Sequence, residues 1–176
     1  MPPTETAVVV RIPEAEHIVG PLRARLDPAA ALGVPAHVTV LAPFVPPGGL
    51  NDAARSALAA AVASVSAFDV TFARVAWFAR EVVWLAPDPA APFGALTKAV
   101  WDRFPACPPY GGAFPDVVPH LTIGADQPAE VLGAAGNAVE SGLPISARIT
   151  TVTLMEGSRE PDSWRVVAEF PLSAPK

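Results

Sequence analysis

His37-Val38-Thr39-Val40 returns, conservatively changed, as His120-Leu121-Thr122-Ile123. Two of the chain's three histidines thus carry a threonine two places on, inside an apolar run. Side chains alternate faces along an extended strand, so His37 and Thr39 share one face while Val38 and Val40 share the other; the second copy repeats this. Each copy offers one imidazole beside one hydroxyl, backed by residues suited to a core.

Working outward, residues 7–12 read as a strand, and Ile18, Leu22 and Leu26 recur at helical spacing before the His37 strand. Residues 81–85 begin the same order again. Phe93, Leu96, Val100, Trp101 and Phe104 form a helical stripe, and the His120 strand follows. An alanine-rich helix comes next in each half, over 51–63 with Asn51 as N-cap and over 128–140. Each half then closes on a hairpin: 68–78 turns through Ala79-Arg80 into 82–85, and 145–155 turns through 156–163 into 164–170. The motifs stand 83 positions apart and the strands after them 77, which reads as an internal duplication, approximately 1–80 and 81–176, within one domain spanning 1–176. The expected fold is α+β: two pseudo-symmetric lobes, each an antiparallel or mixed sheet with helices on its outer face, and a cleft between lobes lined by the histidine strands.

Composition narrows the function. A formal net charge of −5 argues against a broad electrostatic grip on long nucleic acid, so any RNA contact is expected to be local. No apolar run approaches the roughly 20 residues that span a bilayer, so no membrane association is expected. The start lacks the basic and apolar segments of a secretory signal, and the single Cys107 cannot form an internal disulfide. A cytoplasmic protein is expected, with no obligate protein partner evident. The 22 prolines are spread among loops and mark no linker.

Two facing histidines can hold different protonation states near neutral pH, because the free pKa is about 6.5 and small shifts split the pair. One then acts as base and the other as acid, the division that phosphodiester hydrolysis requires: a nucleophile loses a proton while the leaving oxygen gains one, roughly in line. Thr39 and Thr122 would donate to the non-bridging oxygens, where charge builds. No metal or other cofactor is called for. A Gly-x-x-x-x-Gly-Lys-Ser/Thr loop is missing, which disfavours an ATP-driven ligase or kinase.

The paired motifs, their distance and the duplicated order resemble the two-histidine (2H) phosphoesterase superfamily, in particular its 2′-5′ RNA ligase and RNA 2′,3′-cyclic phosphodiesterase branch. The likeness spans nearly the whole chain, and His37, Thr39, His120 and Thr122 match that family's two His-x-Thr/Ser-x motifs. It implies a two-lobed α+β fold with a metal-free site between lobes. The implied substrates are RNA ends carrying a 2′,3′-cyclic phosphate, 2′-5′ oligonucleotides or small cyclic nucleotides, with 2′-5′ ligation as the reverse reaction.

Other residues are weaker candidates for substrate binding. Tyr110 stands in the turn-rich stretch Cys107-Pro108-Pro109-Tyr110-Gly111-Gly112, where an aromatic ring can stack on a base. Phe44 follows the first motif, and Trp77 ends a strand near a hairpin, so each is either packing or a cleft wall. Arg80 and Arg159 occupy corresponding hairpin turns and reach phosphate or simply solvent. Trp84 and Trp101 read as core, and His17 as surface. His17, Cys107 and Asp116 show no zinc-ligand spacing. The alternative to an enzyme is a non-catalytic nucleotide- or phosphate-binding module on the same fold. Both complete motifs argue against it, since holding an anion does not require a neutral base.

Overall fold

The computed structural model describes residues 1–175. The chain runs β1 (Glu5–Arg11), α1 (Glu16–Leu26), α2 (Pro28–Ala31), β2 (His37–Leu41), α3 (Asp52–Ala63), β3 (Phe68–Phe78), β4 (Val82–Asp88) and α4 (Ala91–Arg103). It continues as β5 (Leu121–Ala125), α5 (Ala129–Glu140), β6 (Ile145–Ile149), β7 (Thr151–Gly157) and β8 (Arg165–Pro171). Two four-stranded sheets form, ordered β2-β1-β7-β8 and β5-β4-β3-β6. Every pairing between neighbours is antiparallel, so the mixed-sheet alternative falls away and the two-lobed α+β architecture stands.

Local chemistry accounts for the elements. Asn51 caps α3, its side-chain oxygen accepting from the Ala54 amide at 2.8 Å, as expected for a helix entry. In β2, Val38 and Val40 are buried while His37 and Thr39 are half-buried on the opposite face; in β5, Leu121 and Ile123 are buried and Thr122 is half-buried. Fully enclosed Phe72, Phe93, Leu58, Leu85, Leu96 and Leu121 sit in the common core. Each contributes about 1.5–3 kcal/mol relative to exposure.

The stretch 145–155, expected as one strand, divides at Thr150. Residues up to Ile149 pair with β3 in the His120 sheet, and those from Thr151 pair with β8 and, from Thr153, also with β1 in the His37 sheet. Apolar periodicity is alike on both sides of the break, so it cannot reveal a strand that changes sheets.

As a result the His37 sheet draws strands from both ends of the chain, while the His120 sheet is built from the middle, β3 to β6. The helices cross as well: α1, which leads into the His37 strand, packs on β5 and α5, whereas α4, which leads toward His120, packs on β2 and α3. Gly124 shows how closely α1 approaches β5, since a Cβ there would lie 3.0 Å from Leu26 Cβ and 2.9 Å from Leu132 Cδ2. On the other side, Thr97 Oγ1 of α4 donates to the Val40 carbonyl at 2.7 Å. Among the described residues, no helix is long and apolar enough to cross a membrane.

Candidate active site

His37 opens β2, and His120 immediately precedes β5. Each ring is held in the same manner. His37 Nδ1 lies 2.7 Å from the Pro35 carbonyl and His120 Nδ1 lies 2.7 Å from the Val118 carbonyl, in both cases two residues back. A carbonyl only accepts, so Nδ1 carries the proton in both rings and Nε2 is the nitrogen left for chemistry. Neutral, such a ring is a base at Nε2; charged, it is an acid there.

Burial disfavours the charged form of both. It lowers His37 to about 4, against the raising effect of the Pro35 hydrogen bond; the Arg23 cation adds to the lowering, Asp27 opposes it, and His120 lowers it further. The His120 pKa is also lowered, by burial first, with the Val118 hydrogen bond and Asp27 acting the other way. The two imidazoles are thus near enough for one charge to oppose the other.

A cavity of about 580 Å³ opens beside His37 and Thr39. Tyr110, Arg159, Trp164 and Met155 line it, together with Thr6, Val9 and Val34. A smaller cavity of about 340 Å³, among Arg11, Glu14, Glu16 and Arg148, holds neither histidine; both of its arginines are engaged with acidic partners, Glu169 and Asp69. Three aromatic rings surround His120. Phe78 meets it edge-on at 4.9 Å, Trp84 lies at 5.9 Å, and Tyr110 is nearly parallel at 6.4 Å.

Tyr110 joins the two motifs. Its ring stacks on His120, its phenol lies beside the Thr39 side chain, and its amide donates to the Ala42 carbonyl at 2.7 Å. Burial pushes the phenol's pKa up, with Thr39 acting in the other direction. The residue takes φ 53° and ψ 32°, a left-handed conformation uncommon for a bulky side chain. It thus sits between the two motifs, lining the cavity beside His37 and lying against His120.

Other expectations change. Trp77 does not wall the cleft; Phe78 does. The register between β3 and β4 shifts between Phe72 and Arg74, and this bulge inverts the alternation that Phe72 begins. Val75 then faces Gly136 of α5, Trp77 shares that side, and Phe78 comes round to His120. Phe44 is also no cleft residue. It is buried with its ring edge-on to Phe104 at 4.7 Å. Arg159 lines the cavity and pairs with Glu5 at 3.5 Å, whereas Arg80 is exposed at the β3–β4 turn and does not line it. Trp84, expected as plain core, is buried but faces the cleft, and its indole N–H has no partner among the described residues. Trp164 and Met155 carried no sequence signal, because nothing local marks β7 as part of the His37 sheet. Among the described residues, no three His, Cys, Asp or Glu side chains gather as a metal site would need.

Comparison with known proteins meets this geometry. The model of the 2′-5′ RNA ligase superfamily matches residues 11–161. The chain belongs to that superfamily. Solved structures agree on the fold. Escherichia coli LigT complexed with 3′-AMP superposes with a TM-score of 0.60 at 18% identity, covering 97% of this chain and 99% of LigT. TT0787 of Thermus thermophilus gives 0.67 at 17% identity, covering 98% of this chain and all of TT0787. A further structure, described as a phosphoesterase, gives 0.62 at 17% identity, with 98% and 99% covered. No curated protein sequence matches the chain. His37 and Thr39 share one face of β2, and His120 and Thr122 lie just before and on β5; each strand is the edge of its sheet, and the two edges meet.

Proposed function

We propose that this superfamily member is a metal-independent phosphodiesterase that opens 2′,3′-cyclic phosphates on RNA ends or nucleotides, or cleaves 2′-5′ linkages. The observation that carries this reading is the matched tethering of both Nδ1 atoms, which leaves two Nε2 atoms as an acid–base pair. In the reaction, one neutral Nε2 takes a proton from water as its oxygen attacks phosphorus. The bond from phosphorus to the 2′ or 3′ oxygen breaks, and that oxygen takes the proton of the other Nε2–H. The product is a nucleoside monophosphate, and the two rings have exchanged protonation states until solvent resets them. Thr39 and Thr122 donate to the non-bridging oxygens, and the cavity beside His37 receives the nucleoside. With a 5′ hydroxyl in place of water, the same steps join RNA, drawing on the strain of the cyclic ester.

The deciding experiment is incubation of pure protein with 2′,3′-cyclic AMP, a cyclic-ended oligonucleotide and a 2′-5′ dinucleotide, with chromatography of the products. A monophosphate or a cleaved dinucleotide is expected. Saturable binding of these compounds with no turnover would show a binding module on the same fold and overturn the reading.

A further inference from the structure

We propose that the buried ion pair Arg23–Asp27 is a positioning device for His37 alone: it clamps the backbone that fixes this ring's tautomer, and so makes the two histidines unequal before substrate arrives. The inference builds on the proposed reaction but concerns a part of the molecule outside both motifs.

Arg23 lies in the last turn of α1, and Asp27 ends it one turn later; the guanidinium meets the carboxylate through Nε at 3.0 Å and a terminal nitrogen at 2.9 Å. They are 2% and 7% exposed, and no other charged side chain is buried among the described residues. A buried pair is a poor stabiliser compared with apolar residues of the same volume. In a core otherwise built of Ala, Val, Leu and Phe, its presence calls for a positional reason.

Its further contacts supply one. The other Asp27 oxygen accepts from the Ala29 amide at 3.0 Å, capping α2. Arg23 also donates to the Val34 carbonyl at 3.1 Å. The next residue is Pro35, whose carbonyl takes the His37 Nδ1 proton. Ala36 then gives its amide to Glu16 at 2.6 Å and its carbonyl to the Ile12 amide at 2.8 Å. Every residue from Val34 to His37 is anchored. The corresponding carbonyl of the second motif, Val118, belongs to a residue 43% exposed, and among the described residues only His120 itself reaches it. Neighbouring aromatic rings hold His120 instead.

The charged groups around His37 are accounted for. Arg23 and Asp27 face it from the end of α1, and His120 faces it from the other sheet. Arg11, its partner in register on β1, turns away to Thr153 and Glu169. Glu5 and Arg159 pair with each other along the cavity.

The test uses the full chain, with Arg23→Met, Arg23→Lys and the volume-matched double variant Arg23→Met/Asp27→Leu. Histidine is ¹⁵N-labelled, and NMR reads the tautomer and titration midpoint of each imidazole without substrate; kcat and KM for 2′,3′-cyclic AMP are measured alongside. The His37 midpoint should rise in Arg23→Met, where Asp27 faces the ring unopposed, and the double variant should show mixed His37 tautomers, with the His120 tautomer unchanged in both. Turnover should fall about ten- to a hundredfold with KM little altered, as expected for a misplaced reacting group, and Arg23→Lys should recover part of it. If Arg23→Met does not fold, the other two variants decide. A folded double variant whose His37 keeps its tautomer and midpoint would overturn the proposal, whatever its rate. Should the wild type prove inactive on cyclic phosphates, the NMR arm still decides the positioning claim, and only the proposed reaction fails.

Discussion

Behind His37 stand the α1–α2 corner and a buried ion pair; around His120 stand Phe78, Trp84 and Tyr110. The motifs themselves are nearly the same tetrapeptide, and each ring is tied by the same bond to a carbonyl two residues back. The difference lies in the connection before each histidine. Residues 27–36 fold back tightly on α1, whereas 104–119 run as a long loop that delivers Tyr110 across the cleft. What touches the phosphoryl group in the proposed reaction is duplicated, and what tunes it is not. Two such rings in unlike surroundings can take unlike parts in proton transfer.

The strongest way to break this comparison is to delete each imidazole. His37→Ala and His120→Ala should each reduce kcat on 2′,3′-cyclic AMP by about 10²–10⁴ while thermal melts show a folded protein. Equal losses from unlike settings would mean that both rings take part in the chemistry; near wild-type turnover from either folded variant would end the two-histidine mechanism. Thr39→Ala and Thr122→Ala come next, at about ten- to a thousandfold in kcat if each removes one donor to the developing charge. Thr39 also meets the Tyr110 phenol, so Tyr110→Phe should reproduce a small part of the Thr39→Ala defect and none of that from Thr122→Ala.

Protonation sharpens the contrast. Unperturbed imidazoles would centre the kcat/KM bell at roughly pH 6 to 7.5. Burial lowers both rings, His37 to about 4, so the maximum should move to the acid side, between about 4 and 6.5. Stability follows the same sign. The folded pKa of His37 lies below the unfolded 6.5, so the unfolded chain binds more protons in that interval; the stabilisation is complete above pH 6.5 and is lost as pH falls toward 4. Melting temperatures across this range should fall less steeply in His37→Gln. The smallest effects belong to the arginines. Arg159→Ala should raise KM a few-fold, as for a partly screened surface cation, and Arg80→Ala should leave both constants unchanged.

Sequence pattern carried the motifs, the order of elements and the Asn51 cap because each is a local signal: alternation, helical spacing, a capping side chain. Trp77 and Phe44 escaped it for different reasons. One β-bulge after Phe72 reverses which side of β3 faces the cleft, and a single inserted residue leaves no mark on composition. Phe44 follows the motif in sequence, yet Phe104, at the far end of α4, draws its ring into the core. Arg23 and Asp27 carry no local signal of burial, since nothing in the sequence near α1 marks its packing on β5 and α5.

That covering has a mechanical side. The chain passes from one lobe to the other between β1 and α1, α1 and β2, α3 and β3, β4 and α4, α4 and β5, and β6 and β7. Lobes joined by a single strap can swing apart about it, but lobes laced by this many strands of backbone cannot, because every crossing would have to bend together. The distance between the two imidazoles is therefore a property of the scaffold and does not vary with a hinge. Access to the pair must come from local movement at the rim, and the stretch 111–118, mostly exposed and attached at Tyr110 and His120, is the part of the rim with freedom to give way.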